Sequence, residues 1–161
     1  MTELQRGDAA PDFSLPDASG QTVTLSQFAP GKVILYFYPA AGTPGCTRES
    51  VEFTAAAPDF IAAGYQPVGI SPDSVEKLAA FTAKESLDVP LLADPDRSVI
   101  EAYGVWGERM IWGKPVTGVR RSTFVIEVDA DGHGTIVRAL YNVKATGHVA
   151  RVRRELLGDE G

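Results

Sequence analysis

Cys46 is the side chain in this sequence best suited to nucleophilic or redox work, and it is the only cysteine among 161 residues. It lies in the segment Pro39-Ala40-Ala41-Gly42-Thr43-Pro44-Gly45-Cys46-Thr47-Arg48-Glu49. A thiol reacts as its thiolate, and an ordinary cysteine is only a few per cent ionised at neutral pH. A helix that opens at Cys46 favours the anion, because its first N–H groups are unpaired and its dipole is positive there. Gly42 and Gly45 let the backbone turn so that its N–H groups approach the sulfur or a bound oxygen. Thr43 can place a hydroxyl beside the same spot, and Pro44 stiffens and shields the loop. The competing reading is that a free cysteine is an inert core filler. Its position after a loop of small residues, with polar groups around it, argues for chemistry instead.

The elements that must position this thiol are legible on either side of it. Val33 to Tyr38 is a continuous apolar run rich in β-branched and aromatic residues, which reads as a strand covered on both faces and ended by Pro39. The helix from Cys46 is expected to run to about Ala56, with Pro58 opening a second short helix. Before this unit, Phe13–Leu25 reads as a hairpin turning at Asp17-Ala18-Ser19-Gly20. After it come a strand at Tyr65–Ile70, a helix at Val75–Glu85 capped by Ser71-Pro72-Asp73-Ser74, and a short strand at Pro90–Ala93. A helix carrying Val99, Ala102 and Tyr103 follows. A strand at Thr123–Val128 returns through Asp129-Ala130-Asp131-Gly132 to Thr135–Leu140. A last helix runs from near Thr146 to Gly158. Alternating strands and helices predict a parallel pair, and the closing hairpin adds antiparallel strands. The expected class is α/β, a thioredoxin-like fold with an N-terminal β-hairpin extension, in one domain spanning residues 1–161.

Composition narrows the function classes. The chain has 15 basic and 21 acidic residues, a formal net charge of -6, which argues against a nucleic-acid partner. Its one basic cluster, Arg151, Arg153 and Arg154, suits the last turns of a helix. A content of 44% hydrophobic and 22% charged residues is that of a globular protein. No apolar run suits a signal peptide or a membrane span, so no membrane partner and a cytoplasmic location are expected. One cysteine cannot form an internal disulfide, and a lone thiol suits a reducing compartment. His133 and His148 lack metal-ligand spacing and read as surface residues, so no metal or cofactor is expected. Trp106 and Trp112 read as cover for a core edge in preference to lining an entrance.

Three of these residues carry a family resemblance. Pro39, Thr43 and Cys46 form a Pro-x3-Thr-x2-Cys pattern that resembles the peroxidatic motif of peroxiredoxins. Phe37-Tyr38-Pro39 with Gly42-Thr43-Pro44-Gly45-Cys46-Thr47 is similar to the bacterioferritin comigratory protein, or PrxQ, subgroup. Gly69-Ile70-Ser71-Pro72-Asp73-Ser74, Tyr103-Gly104-Val105-Trp106-Gly107-Glu108 and Arg121-Ser122-Thr123-Phe124-Val125-Ile126 resemble further segments of that group in the same order. The resemblance implies a peroxiredoxin-type thioredoxin fold and a thiol-dependent peroxidase acting on hydrogen peroxide and organic hydroperoxides. Cys46 is then the nucleophile that becomes sulfenic acid, Thr43 orients the peroxide, and Arg121 matches the active-site arginine. Glu49, one turn past Cys46, can hold that guanidinium with a fork contact, while Arg120 should point to the opposite face of its strand. Pro39 and Gly45 support the loop. A monomer or weak dimer is implied by the same analogy.

Many relatives place a resolving cysteine five residues after the first, where this chain has Val51. The sulfenic acid must therefore be reduced by an external thiol, whether thioredoxin, glutaredoxin or a low-molecular-weight thiol. A disulfide oxidoreductase would need cysteine in place of Thr43. A one-shot redox sensor is separated from an enzyme by turnover with excess reductant.

Overall fold

The computed structural model describes residues 3–158. The expected span of 1–161 thus includes residues 1–2 and 159–161, which lie outside the described residues. The apolar run becomes β4 (Gly31–Phe37), at the middle of a six-stranded sheet. Its neighbours are β5 (Tyr65–Ser71), parallel to it, and β9 (Ser122–Val128), antiparallel. The sheet continues through β6 (Leu91–Ala93) on one side and through β10 (Gly134–Leu140) and β1 (Ala9–Ala10) on the other. β2 (Ser14–Pro16) and β3 (Thr22–Thr24) form the expected N-terminal hairpin, whose turn is tied by Asp17 Oδ1 accepting from the Ser19 and Gln21 amides.

Alternation along β4 divides the interior in two. Val33, Leu35 and Phe37 face a cluster closed by the N-terminal hairpin, Phe124, Ile126 and the short helix α3 (Ser98–Ala102). Ile34 and Tyr36, with Tyr38 just beyond, face a second cluster beneath α1 (Pro44–Ala62), α2 (Val75–Glu85) and α4 (His148–Leu157). Cys46 belongs to the second cluster and is fully buried. Strand on one side and helices on the other thus fix the sulfur's surroundings.

Two elements depart from expectation. α1 runs through Pro58 for 19 residues, and no new helix starts there. The proline costs ~3 kcal/mol in a helix interior. Phe53, Ala57 and Phe60 nonetheless continue the buried stripe begun by Cys46 and Ser50. Burying each phenyl ring returns about 1.5–3 kcal/mol, so the stripe outweighs the break. The second departure is an unexpected hairpin, β7 (Trp106–Ile111) with β8 (Lys114–Val119), joined at Trp112-Gly113. Both loop residues have positive φ, 52° and 76°, the geometry of a tight two-residue turn that sequences usually signal with Asn-Gly. Trp106 is packed against the core with the Arg97 guanidinium 4.2 Å above its ring. Trp112 is 96% exposed at the hairpin tip and covers no core edge, which corrects that expectation.

Candidate active site

The loop after β4 and the first turn of α1 present the thiol. Thr43 is the N-cap of α1 and Pro44 its first residue, so the helix begins two residues earlier than Cys46. The Thr47 amide is the first to reach a helical acceptor, donating to the Thr43 carbonyl at 2.8 Å. The Gly45 and Cys46 amides therefore belong to the unpaired first turn of the helix and are free to meet an anion.

Arg121 reaches this point from just before β9, whose pairing with β4 sets its position. Its Nη2 donates to Cys46 Sγ at 3.3 Å, and its Nη1 donates to Glu49 Oε1 at 2.5 Å. The Val143 amide anchors the Arg121 carbonyl at 2.9 Å. Gly45 leaves room for this approach, because a Cβ there would stand 3.1 Å from Arg121 Nη2 and the guanidinium would have to give by a few tenths of an ångström. Arg120 points away, donating to the Gly104 carbonyl and pairing with Glu3. The contact to Glu49 is single, Nη1 to Oε1, not the expected fork.

Thr43 is exposed, and its hydroxyl donates to the Ala40 carbonyl at 2.7 Å. Its hydrogen is thus engaged while its oxygen remains able to accept. Pro39 is half-buried where the chain leaves β4. Asp73 holds this loop from below: Oδ2 accepts the Ala41 amide at 2.7 Å and the Ser71 hydroxyl at 2.8 Å, and Oδ1 pairs with Lys77 at 3.2 Å. Within the expected cap segment Ser71–Ser74 it is Ser74 that caps α2, accepting from the Lys77 amide, while Asp73 turns inward. An acid turned inward beside a cap has no signature in a single sequence.

The site's electrostatics follow from burial. Glu49 is wholly buried, and desolvation pushes its carboxyl up to about 7 against the opposing pull of Arg121, with Glu52 adding to the rise. Arg121 stays firmly charged, since Glu49 and Cys46 outweigh the cost of its burial. His148 was expected at the surface and is instead 3% exposed. Its Nε2 lies 2.7 Å from Thr123 Oγ1 and 4.0 Å from Glu49 Oε2. Burial, then Arg151 and Arg121, lower it to about 4, so its ring is neutral. The apolar pattern Val149 and Val152 after His148 was the available hint, since it shows which face of α4 is inward. His133 is exposed near Asp129 and Asp131, within 4.8 Å, but Asp129 is occupied in tying its own turn.

Comparisons with known proteins show the family of the chain. The AhpC/TSA family pattern matches residues 6–150. A Mycobacterium tuberculosis protein bearing a peroxiredoxin name is 54% identical over 155 residues, 96% of each chain. Peroxiredoxin Bcp of Escherichia coli is 41% identical over 148 residues, 92% of each chain. The solved structure of the Xanthomonas campestris bacterioferritin comigratory protein, described for its alkyl peroxide reduction, is similar with a TM-score of 0.80 at 36% identity over 89% of each chain. With its thioredoxin-like α/β fold and a lone thiol at a helix start beneath an arginine, the chain belongs to the AhpC/TSA family, as a one-cysteine peroxiredoxin of the Bcp/PrxQ group.

Proposed function

We propose that the protein reduces hydrogen peroxide and organic hydroperoxides through the Cys46 thiolate and is recycled by an external thiol. The observation that carries this reading is the Arg121 guanidinium set on Sγ at 3.3 Å. A fixed cation beside the sulfur lies where negative charge develops on the peroxide oxygens as the sulfur attacks. The unpaired Gly45 and Cys46 amides add donors at the same place. Thr43, with its hydrogen given to Ala40, has lone pairs left to accept the hydroperoxide O–H and so orient the substrate. Sγ attacks the terminal oxygen, an S–O bond forms as O–O breaks, and an alkoxide or hydroxide leaves and takes up a proton. The product is a sulfenic acid.

With one cysteine in the sequence, no second thiol of the same chain can condense with that sulfenic acid. A thiolate from thioredoxin, glutaredoxin or a small thiol attacks it, water leaves, and a second thiol releases Cys46 from the mixed disulfide. The described residues contain no helix long and apolar enough to cross a membrane, and a reducing compartment such as the cytoplasm suits this cycle. The alkyl peroxide reduction described for the Xanthomonas relative supports organic hydroperoxides as substrates. The test is Cys46→Ser, assayed for peroxide consumption with excess dithiothreitol. Turnover is expected to vanish while the circular dichroism spectrum is unchanged, and retention of more than a few per cent of activity rejects the reading.

A further inference from the structure

Behind the Cys46 site lies a buried polar chain that the reaction as described does not use. Glu49 Oε1 is taken by Arg121, but Oε2 is buried without a hydrogen-bond partner. His148 Nε2 lies 4.0 Å from that oxygen. His148, in turn, is 2.7 Å from the hydroxyl of Thr123, a buried residue of β9. Phe53 closes the ring's flank edge-on, with centroids 6.3 Å apart. Three elements that meet only in the tertiary structure, α1, β9 and α4, therefore converge on one carboxylate.

We propose that His148 is a positioning residue for the peroxidase site, acting with Thr123 through Glu49 and Arg121 on Cys46. The inference rests on the reading of Cys46 as the nucleophile. A buried polar oxygen without a partner is costly, so its neighbours decide where the carboxylate sits. A bare Nε2 lone pair would repel Oε2, whereas Nε2–H presents a positive edge to it. The carboxylate thus selects the tautomer with hydrogen on Nε2, donating to Thr123 Oγ1 and facing Glu49. Thr123 fixes the ring, the ring fixes the carboxylate, and the carboxylate fixes the guanidinium that touches the sulfur. A shift of one member is transmitted because Thr123, His148 and Glu49 are buried and the half-buried guanidinium is held between Glu49 and the sulfur.

Beyond burial, which raises Glu49 and lowers His148, the charges facing this chain oppose one another: Arg121 lowers Glu49 and Glu52 raises it, while Arg151 and Arg121 lower His148 and Glu155 raises it. Around Glu49 stand Arg121 from just before β9, His148 from α4, Tyr36 from β4, and Glu52 on α1 itself. Around His148 stand Arg151 and Glu155 on α4, together with Arg121 and Glu49. The two arginines and burial keep the imidazole neutral, so its contribution to Glu49 is a dipole, not a full charge. Removing that dipole disfavours the ionised carboxylate and moves the Glu49-linked step in activity to higher pH.

The experiment is a double-mutant cycle on the rate of Cys46 oxidation by hydrogen peroxide, measured across a pH series in wild type, His148→Phe, Glu49→Gln and the pair. His148→Phe is expected to slow oxidation about tenfold and to raise the pH midpoint of the rate profile. In the Glu49→Gln background the same substitution is expected to cost less than twofold, because its route to Arg121 is already cut. His148→Gln, which keeps a donor, is expected to recover most of the rate and serves if the Phe variant does not fold. Additive losses with an unmoved pH midpoint overturn the inference, since a purely structural role is blind to Glu49. An active Cys46→Ser protein overturns the underlying reading instead, so the two failures are distinguishable.

Discussion

Arg121→Met removes the one guanidinium in contact with the sulfur and keeps most of its aliphatic bulk. At 3.3 Å a full charge pair is worth about 5 kcal/mol at an effective dielectric constant of about 20, an upper bound. The helix-start amides remain, so the net loss should be that of one charge-assisted hydrogen bond, about 1.5–3 kcal/mol. That is roughly a ten- to hundred-fold fall in thiolate preference. Glu49 loses its partner, and its carboxyl, already at about 7 by burial against the pull of Arg121, rises further and takes a proton. The variant therefore avoids a buried unpaired anion and should fold. Two assays report the effect: the ultraviolet absorbance of the thiolate at neutral pH, and the second-order rate of oxidation by limiting peroxide in competition with a reporter. Both should fall together. Gly45→Ala offers a milder version, because its new Cβ would lie 3.1 Å from Nη2 and push the guanidinium outward. If Arg121→Met leaves the thiolate absorbance and the oxidation rate unchanged, the electrostatic assignment of Arg121 is wrong.

Thr43→Val should slow oxidation by peroxide at least tenfold, while Thr43→Ser, which restores the accepting oxygen, should keep most of the rate; equal rates in both would remove Thr43 from substrate positioning. Excess peroxide without thiol should add two or three oxygens to Cys46 and inactivate the protein, and added thiol should protect it. Intact-mass spectrometry decides this, and a dominant disulfide-linked homodimer at low protein concentration would show that a second copy supplies the resolving thiol. Glu49 gives a pH signature in stability. Its carboxyl is raised in the fold from the ordinary 4.5 to about 7, so its contribution is fully present below 4.5 and is lost as pH rises through 7. Relative to Glu49→Gln, the wild type should lose on the order of 3 kcal/mol across that window, read from urea unfolding at successive pH values; a difference that does not vary with pH contradicts it.

Much of this site is local in the chain and so was readable from it. Pro39, Thr43, Gly45 and Cys46 sit within one strand–loop–helix junction, where the break in β4 and the caps of a helix are written in residue types. The apolar run at Val33–Tyr38 told of a strand covered on both faces because both of its alternating sets are hydrophobic. Arg121 was found only through a family pattern, since nothing local says that a residue 75 positions from Cys46 touches its sulfur. Helix length across Pro58 was decided by the burial of Phe53, Ala57 and Phe60, a sum over partners that a local rule for proline does not see. Asp73 beneath the loop and His148 behind Glu49 were decided by tertiary structure alone. A short polar side chain reads as surface in sequence, and only the packing of β5 and α4 against α1 takes it out of water and gives it a partner. The sequence by itself determined which atom is the candidate nucleophile, the one thiol of the chain, and which loop–helix junction bears it. The folded structure decided which cation lies on the sulfur and which buried groups hold that cation, because those contacts join elements far apart in the chain and form only when the sheet brings them together.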